Sequence, residues 1–245
     1  MSPTRILLVS AICLLAAVPA IPAETGSPGP TGSGDRLPSD PELASLGAVI
    51  GDIRVRNENI FDIADPREDN WLFRLANRLH VRTRRSTIAG QLLFRAGDPY
   101  DRRILDESER ILRTNGYLYD AQIRPVAYRD GRVDVEVLTR DVWTLRPGFS
   151  FQRKGGENTT SIDFEETNFL GRGSQIRFSS SSTPDRKTNS VEYADRRLFS
   201  SWWRTGVLLS DSDDGRKRSV LLERPFYSLD TRWAAGGSFA DDERI

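Results

Sequence analysis

Ser161-Ile162-Asp163-Phe164-Glu165-Glu166-Thr167-Asn168-Phe169-Leu170-Gly171-Arg172-Gly173-Ser174-Gln175-Ile176-Arg177-Phe178 reads as two strands and the turn between them. Ile162 and Phe164 alternate with Ser161, Asp163 and Glu165; after the turn Ile176 and Phe178 alternate with Gln175 and Arg177. A period of two puts the apolar residues on one face of a sheet and the polar ones on the other. The habit continues outward. Val191 and Tyr193 flank Glu192, Trp203, Thr205, Val207 and Leu209 face against Arg204, Gly206 and Ser210, and Trp233, Ala235 and Phe239 extend the pattern toward the end of the chain. Each run has the ~8 to 11 residues with which a tilted strand crosses a bilayer. The expected face toward lipid is Ile162, Phe164, Ile176, Phe178, Trp203, Val207 and Leu209, with Asp163, Glu165, Gln175, Arg177 and Arg204 toward a lumen.

The connections fall into two classes that alternate along the chain. Lys154 to Asn158, Thr183 to Lys187 and Asp211 to Gly215 are polar. Asn168 to Gly171, Arg197 to Ser200 and Arg224 to Tyr227 are aromatic and apolar, carrying Phe169, Leu170, Phe199, Phe226 and Tyr227. In an up-and-down sheet alternate turns lie at opposite ends, so the aromatic turns gather at one end, as an interfacial girdle requires. The same alternation would also fit a soluble β-sandwich with a closed core.

The preceding part of the chain has a different texture. Ile50 to Val55 alternates as a strand, and Trp71 to Leu79 spaces Leu72, Leu75, Ala76 and Leu79 at helical intervals behind Asp69 as a cap. Ser86 to Phe94 is a second helical candidate, and a third starts near Asp101 and stops at Gly116. Ala121 to Tyr128 and Arg132 to Arg140 then form a hairpin through Asp130-Gly131. Pro125 lies in the first of these two strands, which makes it an edge.

At the N-terminus, Arg5, the apolar run Ile6 to Val18 and the small residues up to Ala23 have the three parts of a secretory signal peptide. Gly, Pro, Ser, Thr and Asp dominate Glu24 to Pro41, a composition that cannot bury enough surface to order itself. The expected organisation is a signal peptide over 1–23, a flexible leader over 24–46, a domain over 47–141 and strands over 142–245.

Composition removes most chemistry. Lys plus Arg and Asp plus Glu are 35 each, so no basic field is present to hold nucleic acid. The only Cys is Cys13, inside the signal, and the only His is His80, which excludes Cys/His metal cages and nucleophile pairs. Asp211 to Gly215 is too short in acidic spacing for a calcium loop. His80, beside Arg78, Arg82, Arg84 and Arg85, is expected at the surface. That basic group reads as a solvated face, with anionic lipid head groups as the sharper alternative. No catalytic residues, metal or cofactor are expected, and the chain is not expected to be an enzyme.

Leu92-Leu93-Phe94-Arg95-Ala96-Gly97-Asp98-Pro99-Tyr100-Asp101, Leu112-Arg113-Thr114-Asn115-Gly116-Tyr117-Leu118 and Glu165 to Gly173 together resemble the POTRA-plus-barrel superfamily of outer-membrane proteins, of the BamA and TamA type. The resemblance implies an α+β POTRA-like domain, β-α-α-β-β with an extra helix at Trp71 to Leu79, followed by the first antiparallel strands of an incomplete transmembrane β-barrel. It implies a bacterial outer-membrane location with the N-terminal domain in the periplasm. The implied partners are the outer-membrane lipid bilayer, unfolded outer-membrane or secreted protein clients, and periplasmic accessory proteins. The implied activity is insertion or translocation of other polypeptides, with Gln122, Arg124 and Val126 on the edge strand as the place where a client strand would pair. A two-partner secretion pore, a non-catalytic periplasmic binding module on a β-sandwich and a barrel anchoring a downstream enzyme are the alternatives. With about seven strands after residue 142, fewer than the ~8 of the smallest single-chain barrels, the chain is expected to be the N-terminal part of a longer protein.

Overall fold

A computed structural model describes residues 36–244; the expected signal peptide, the expected leader up to residue 35 and Ile245 lie outside the described residues. Folded structure begins earlier than composition implies. In α1 (Asp40–Ser45) the Glu42 carboxylate accepts the N–H and hydroxyl of Ser39, both at 2.7 Å. Leu43 is fully buried in the core, and Asp40 accepts the Tyr100 hydroxyl at 2.5 Å. The polar stretch is thus ordered from its last turn by one anchoring leucine and a capping box, within the span expected as leader.

β1 (Val49–Glu58) is followed by α2 (Trp71–Leu79), α3 (Arg85–Ala89) and α4 (Arg102–Arg113), then by β2 (Leu118–Arg129) and β3 (Arg132–Asp141). The strands form one sheet in the order β1-β3-β2, with β1 parallel and β2 antiparallel to the central β3. Asp130 and Gly131 have φ of 50° and 76°, the two left-handed positions of a primed hairpin turn. Every second residue of β3 is buried, Val133, Val135 and Val137 running into Thr139 and Asp141. Ile88 from α3, Leu105 and Leu112 from α4, and Phe94 and Tyr117 from the connections complete this core. Each such aliphatic side chain contributes about 1.5–3 kcal/mol on burial.

Three local details differ from the expected pattern. α3 stops at Gly90, so the expected helix over 86–94 is one turn followed by a loop that still buries Phe94. α4 ends without a left-handed glycine at Gly116. Asn115 Nδ2 donates to the Ile111 and Leu112 carbonyls at 3.2 and 3.0 Å, satisfying acceptors that a left-handed cap would otherwise serve. α2 forms over the expected residues, yet Asn70 caps it by accepting the Phe73 N–H, and Asp69 instead pairs with Arg74 at 2.6 Å. No residue of α2 is buried.

The second sheet is a meander of seven strands in sequence order: β4 (Leu145–Lys154), β5 (Glu157–Phe169), β6 (Ser174–Ser182), β7 (Lys187–Asp195), β8 (Arg204–Ser212), β9 (Gly215–Arg224) and β10 (Ala235–Arg244). Every neighbouring pair is antiparallel. The sheet is not closed: β4 and β10 each have one partner. No helix among the described residues is long and apolar enough to cross a membrane, which has no bearing on strands.

Candidate functional site: two sheet faces and the junction at their end

Register sorts the meander into two unlike faces. One cross-strand row runs Phe164–Phe178–Val191–Leu209 before it turns charged at Arg218 and Asp241, and the next runs Ile176–Tyr193–Val207–Val220–Phe239. Phe149 opposite Ile162 extends this apolar face onto β4. Phe149, Ile162, Phe164, Phe178, Leu209 and Phe239 are all exposed. Trp203 precedes β8 in the same alternation and meets Trp233 edge-on at 6.4 Å, with the Arg224 guanidinium 3.8 Å over the Trp233 ring. Ile162, Phe164, Ile176, Phe178, Trp203, Val207 and Leu209 therefore share one side of the sheet.

The opposite face carries hydroxyls and paired charge. Ser150, Ser161, Ser181, Thr188 and Ser212 form one row. Arg146, Glu165, Arg177 and Glu192 form another, of alternating sign. Glu165 accepts Arg177 at 2.8 Å and Gln175 at 2.6 Å, and Arg204 pairs with Glu223 at 2.5 Å. The face becomes less polar toward β9, where Leu208 and Leu221 interrupt it. Glu166, the neighbour of Glu165, lies on the apolar side at its margin and accepts the Asn168 N–H at 2.7 Å.

All three aromatic turns lie at the end of the sheet that meets the smaller α+β body. Gly171 carbonyl accepts the Arg84 N–H and the Thr87 hydroxyl, both at 2.9 Å. Leu198, Phe199 and Arg197 of the second turn line a cavity of about 410 Å³ with Arg84, Thr87 and Gly90. Asp230, after the third, pairs with Arg103 at 3.2 Å. Phe199 is 92% exposed, and Phe226 and Leu170 are also exposed. Phe169 and Tyr227 are half-buried, the latter stacked on Trp202 at 4.1 Å. One end of the sheet thus serves both as a docking surface and as a collar of projecting aromatics.

The junction is held by a polar network that local sequence patterns do not reveal. Asp141 ends β3, and its carboxylate accepts the Thr83 N–H at 2.8 Å, Asn57 Nδ2 at 3.1 Å and His80 Nε2 at 3.0 Å. The His80 and Asp141 side chains are 1% and 0% exposed, so the expected surface histidine is a buried one. A buried carboxylate needs hydrogen-bond donors, and His80 is one of the three groups that meet this one. Asn168 Nδ2 donates to the Thr83 hydroxyl at 2.8 Å, while its Oδ1 accepts the Gly173 N–H at 2.8 Å, carrying the network into the first aromatic turn.

The two glycines of that turn have separate reasons. Gly171 and Gly173 both have φ of 70°, a left-handed conformation that costs other residues energy. A Cβ on Gly171 would meet the Arg82 carbonyl, and one on Gly173 would lie 2.7 Å from the Tyr117 ring. Tyr117 accepts Gln91 Nε2 at 2.7 Å, and burial pushes its phenol up to about 12.

The expected client edge is on β2, which pairs with β3 alone. Gln122 stands opposite Leu138, and Arg124 is bonded to Glu136 at 2.8 Å. Val126 falls in the irregularity between Pro125 and Ala127, where the missing proline N–H interrupts the ladder. Among the described residues no cluster of His, Cys, Asp or Glu is arranged to hold a metal. What the assembly offers is surface: one apolar face, one charged face and unpaired strand edges.

No family model matches the chain, and no curated protein matches it. Among solved structures it is similar to BamA from Haemophilus ducreyi lacking POTRA domains 1-3, with a TM-score of 0.44 and 14% identity over 70% of this chain and 31% of that one. It is also similar to CdiB from Acinetobacter baumannii, with a TM-score of 0.47 and 12% identity over 82% of this chain and 40% of that one. The chain thus spans less than half the length of either structure.

Proposed function

We propose that this chain is the periplasmic α+β domain and the first strands of an outer-membrane barrel that inserts or exports other polypeptides. The observation that carries the reading is the seven-strand meander whose apolar rows are exposed on one side while paired charges and hydroxyls occupy the other. A sheet of this kind suits lipid against its first face and water against its second. The small domain, in the position of a POTRA domain, docks at the aromatic-turn end and so stands on the periplasmic side.

Strand addition is the physical route to clients. The edges of β2 and β4 present backbone donors and acceptors, which recognise an extended chain with little demand on its sequence. Photo-crosslinkers at Gln122, Arg124 and Val126, and at Phe149 to Gln152 on β4, should capture unfolded outer-membrane or secreted proteins when the protein is expressed in cells. Capture from β4 alone would make β2 a passive spacer. Absence of capture from both strands would overturn the assembly and export reading.

A further inference from the structure

α2 is an amphipathic helix built inside out. At ~100° per residue, Trp71, Leu75, Leu79 and Leu72 fall within an arc of roughly 100°, and Phe73 and Asn77 lie on the opposite side. The structure uses that opposite side for attachment. Phe73 stacks on Phe61 at 3.9 Å with the rings nearly parallel, and Asn77 exchanges hydrogen bonds with the Phe61 backbone at 2.8 and 3.1 Å. The apolar arc is left outward: Trp71 is 75%, Leu79 64%, Leu72 53% and Leu75 41% exposed.

Its charge and position point to what covers it. Arg78 lies on the rim of the arc, and Arg74, also on the rim, is paired with Asp69. From Trp71 to Gly97 the chain has six Arg and no Asp or Glu, between Asp69 on one side and Asp98 on the other. The helix leads directly into the sheet's aromatic end, because His80 bonds Asp141, Thr83 bonds Asn168, and the Arg84 N–H bonds the Gly171 carbonyl. An apolar arc rimmed by arginine suits the boundary between acyl chains and anionic head groups. We infer that α2 lies in the periplasmic surface of the membrane, with Trp71, Leu72, Leu75 and Leu79 buried among anionic phospholipids and Arg78 against their phosphates. The inference rests on the barrel reading for the position of the membrane.

The test uses the full chain carrying Cys13→Ala and a single fluorescent label at Leu75→Cys, Leu79→Cys or Phe178→Cys. The first two sites are exposed, so labelling them does not disturb the core. In phosphatidylcholine vesicles containing phosphatidylglycerol, lipid-borne nitroxides should quench all three labels. Arg78→Gln should weaken docking of the helix about fivefold, a loss that should disappear in vesicles without the anionic lipid. Quenching at Phe178 with Leu75 and Leu79 open to an aqueous quencher would overturn the helix inference and leave the barrel. The reverse pattern would support the helix and overturn the barrel. Labels at Leu75 and Leu79 shielded from both quenchers would mean that a protein covers the helix, and would overturn its contact with lipid.

Discussion

At the scale of single residues the decisive position is Gly173. Alanine there must hold a left-handed φ and move the Tyr117 ring, so Gly173→Ala should destabilise the junction by about 2 kcal/mol or more. Gly116→Ala is the control, since nothing lies within 4 Å of the added methyl and the backbone is not left-handed. Thermal unfolding of the two variants, with proteolysis between Asp141 and Leu145 as a local probe, should separate them. Equal stability would remove the steric account of this turn. Sequence reading identifies Asn168 to Gly171 as a turn because its residue types favour one. The partners of Gly171 and Gly173 come from Arg82 and Tyr117, far away in the chain, and no local pattern encodes that meeting. His80 escapes sequence reading for the same reason: its arginine neighbours suggest water, while its contact, Asp141, is 61 residues on.

At the scale of elements, period-two alternation is legible because each meander strand is sorted by its own two faces. The register carries that sorting across the sheet: Phe178 joins Phe164 and Val191, and Ser179 joins Asp163 and Ser190. In phospholipid vesicles Phe178→Arg should cost ~2–4 kcal/mol in denaturant titration and Ser179→Arg much less. Equal costs would refute the assignment of the faces. The helical period of α2 is equally legible, but periodicity fixes only that an apolar arc exists. Which side meets the body is decided by the Phe61–Phe73 stack and by Asn77, both outside the leucine pattern.

At the scale of the whole molecule, the core of the α+β body draws every buried member from Leu43 to Val137, before the meander begins. Residues 36–141 should therefore fold alone, giving cooperative unfolding by circular dichroism and dispersed amide resonances. An unfolded fragment would show that the body needs the sheet it docks on. The fragment should be less stable than the same body in the full chain, because Asn168 and Gly171 no longer meet Thr83, Arg84 and Thr87.

The meander also has a parity. Its strands alternate in direction through seven members, so β4 and β10, its two margins, run the same way. They cannot join each other as antiparallel neighbours, and closure of that kind requires an even total. Whatever bridges the gap must bring an odd number of strands. A single extended segment meets that parity condition, and a pair of strands does not.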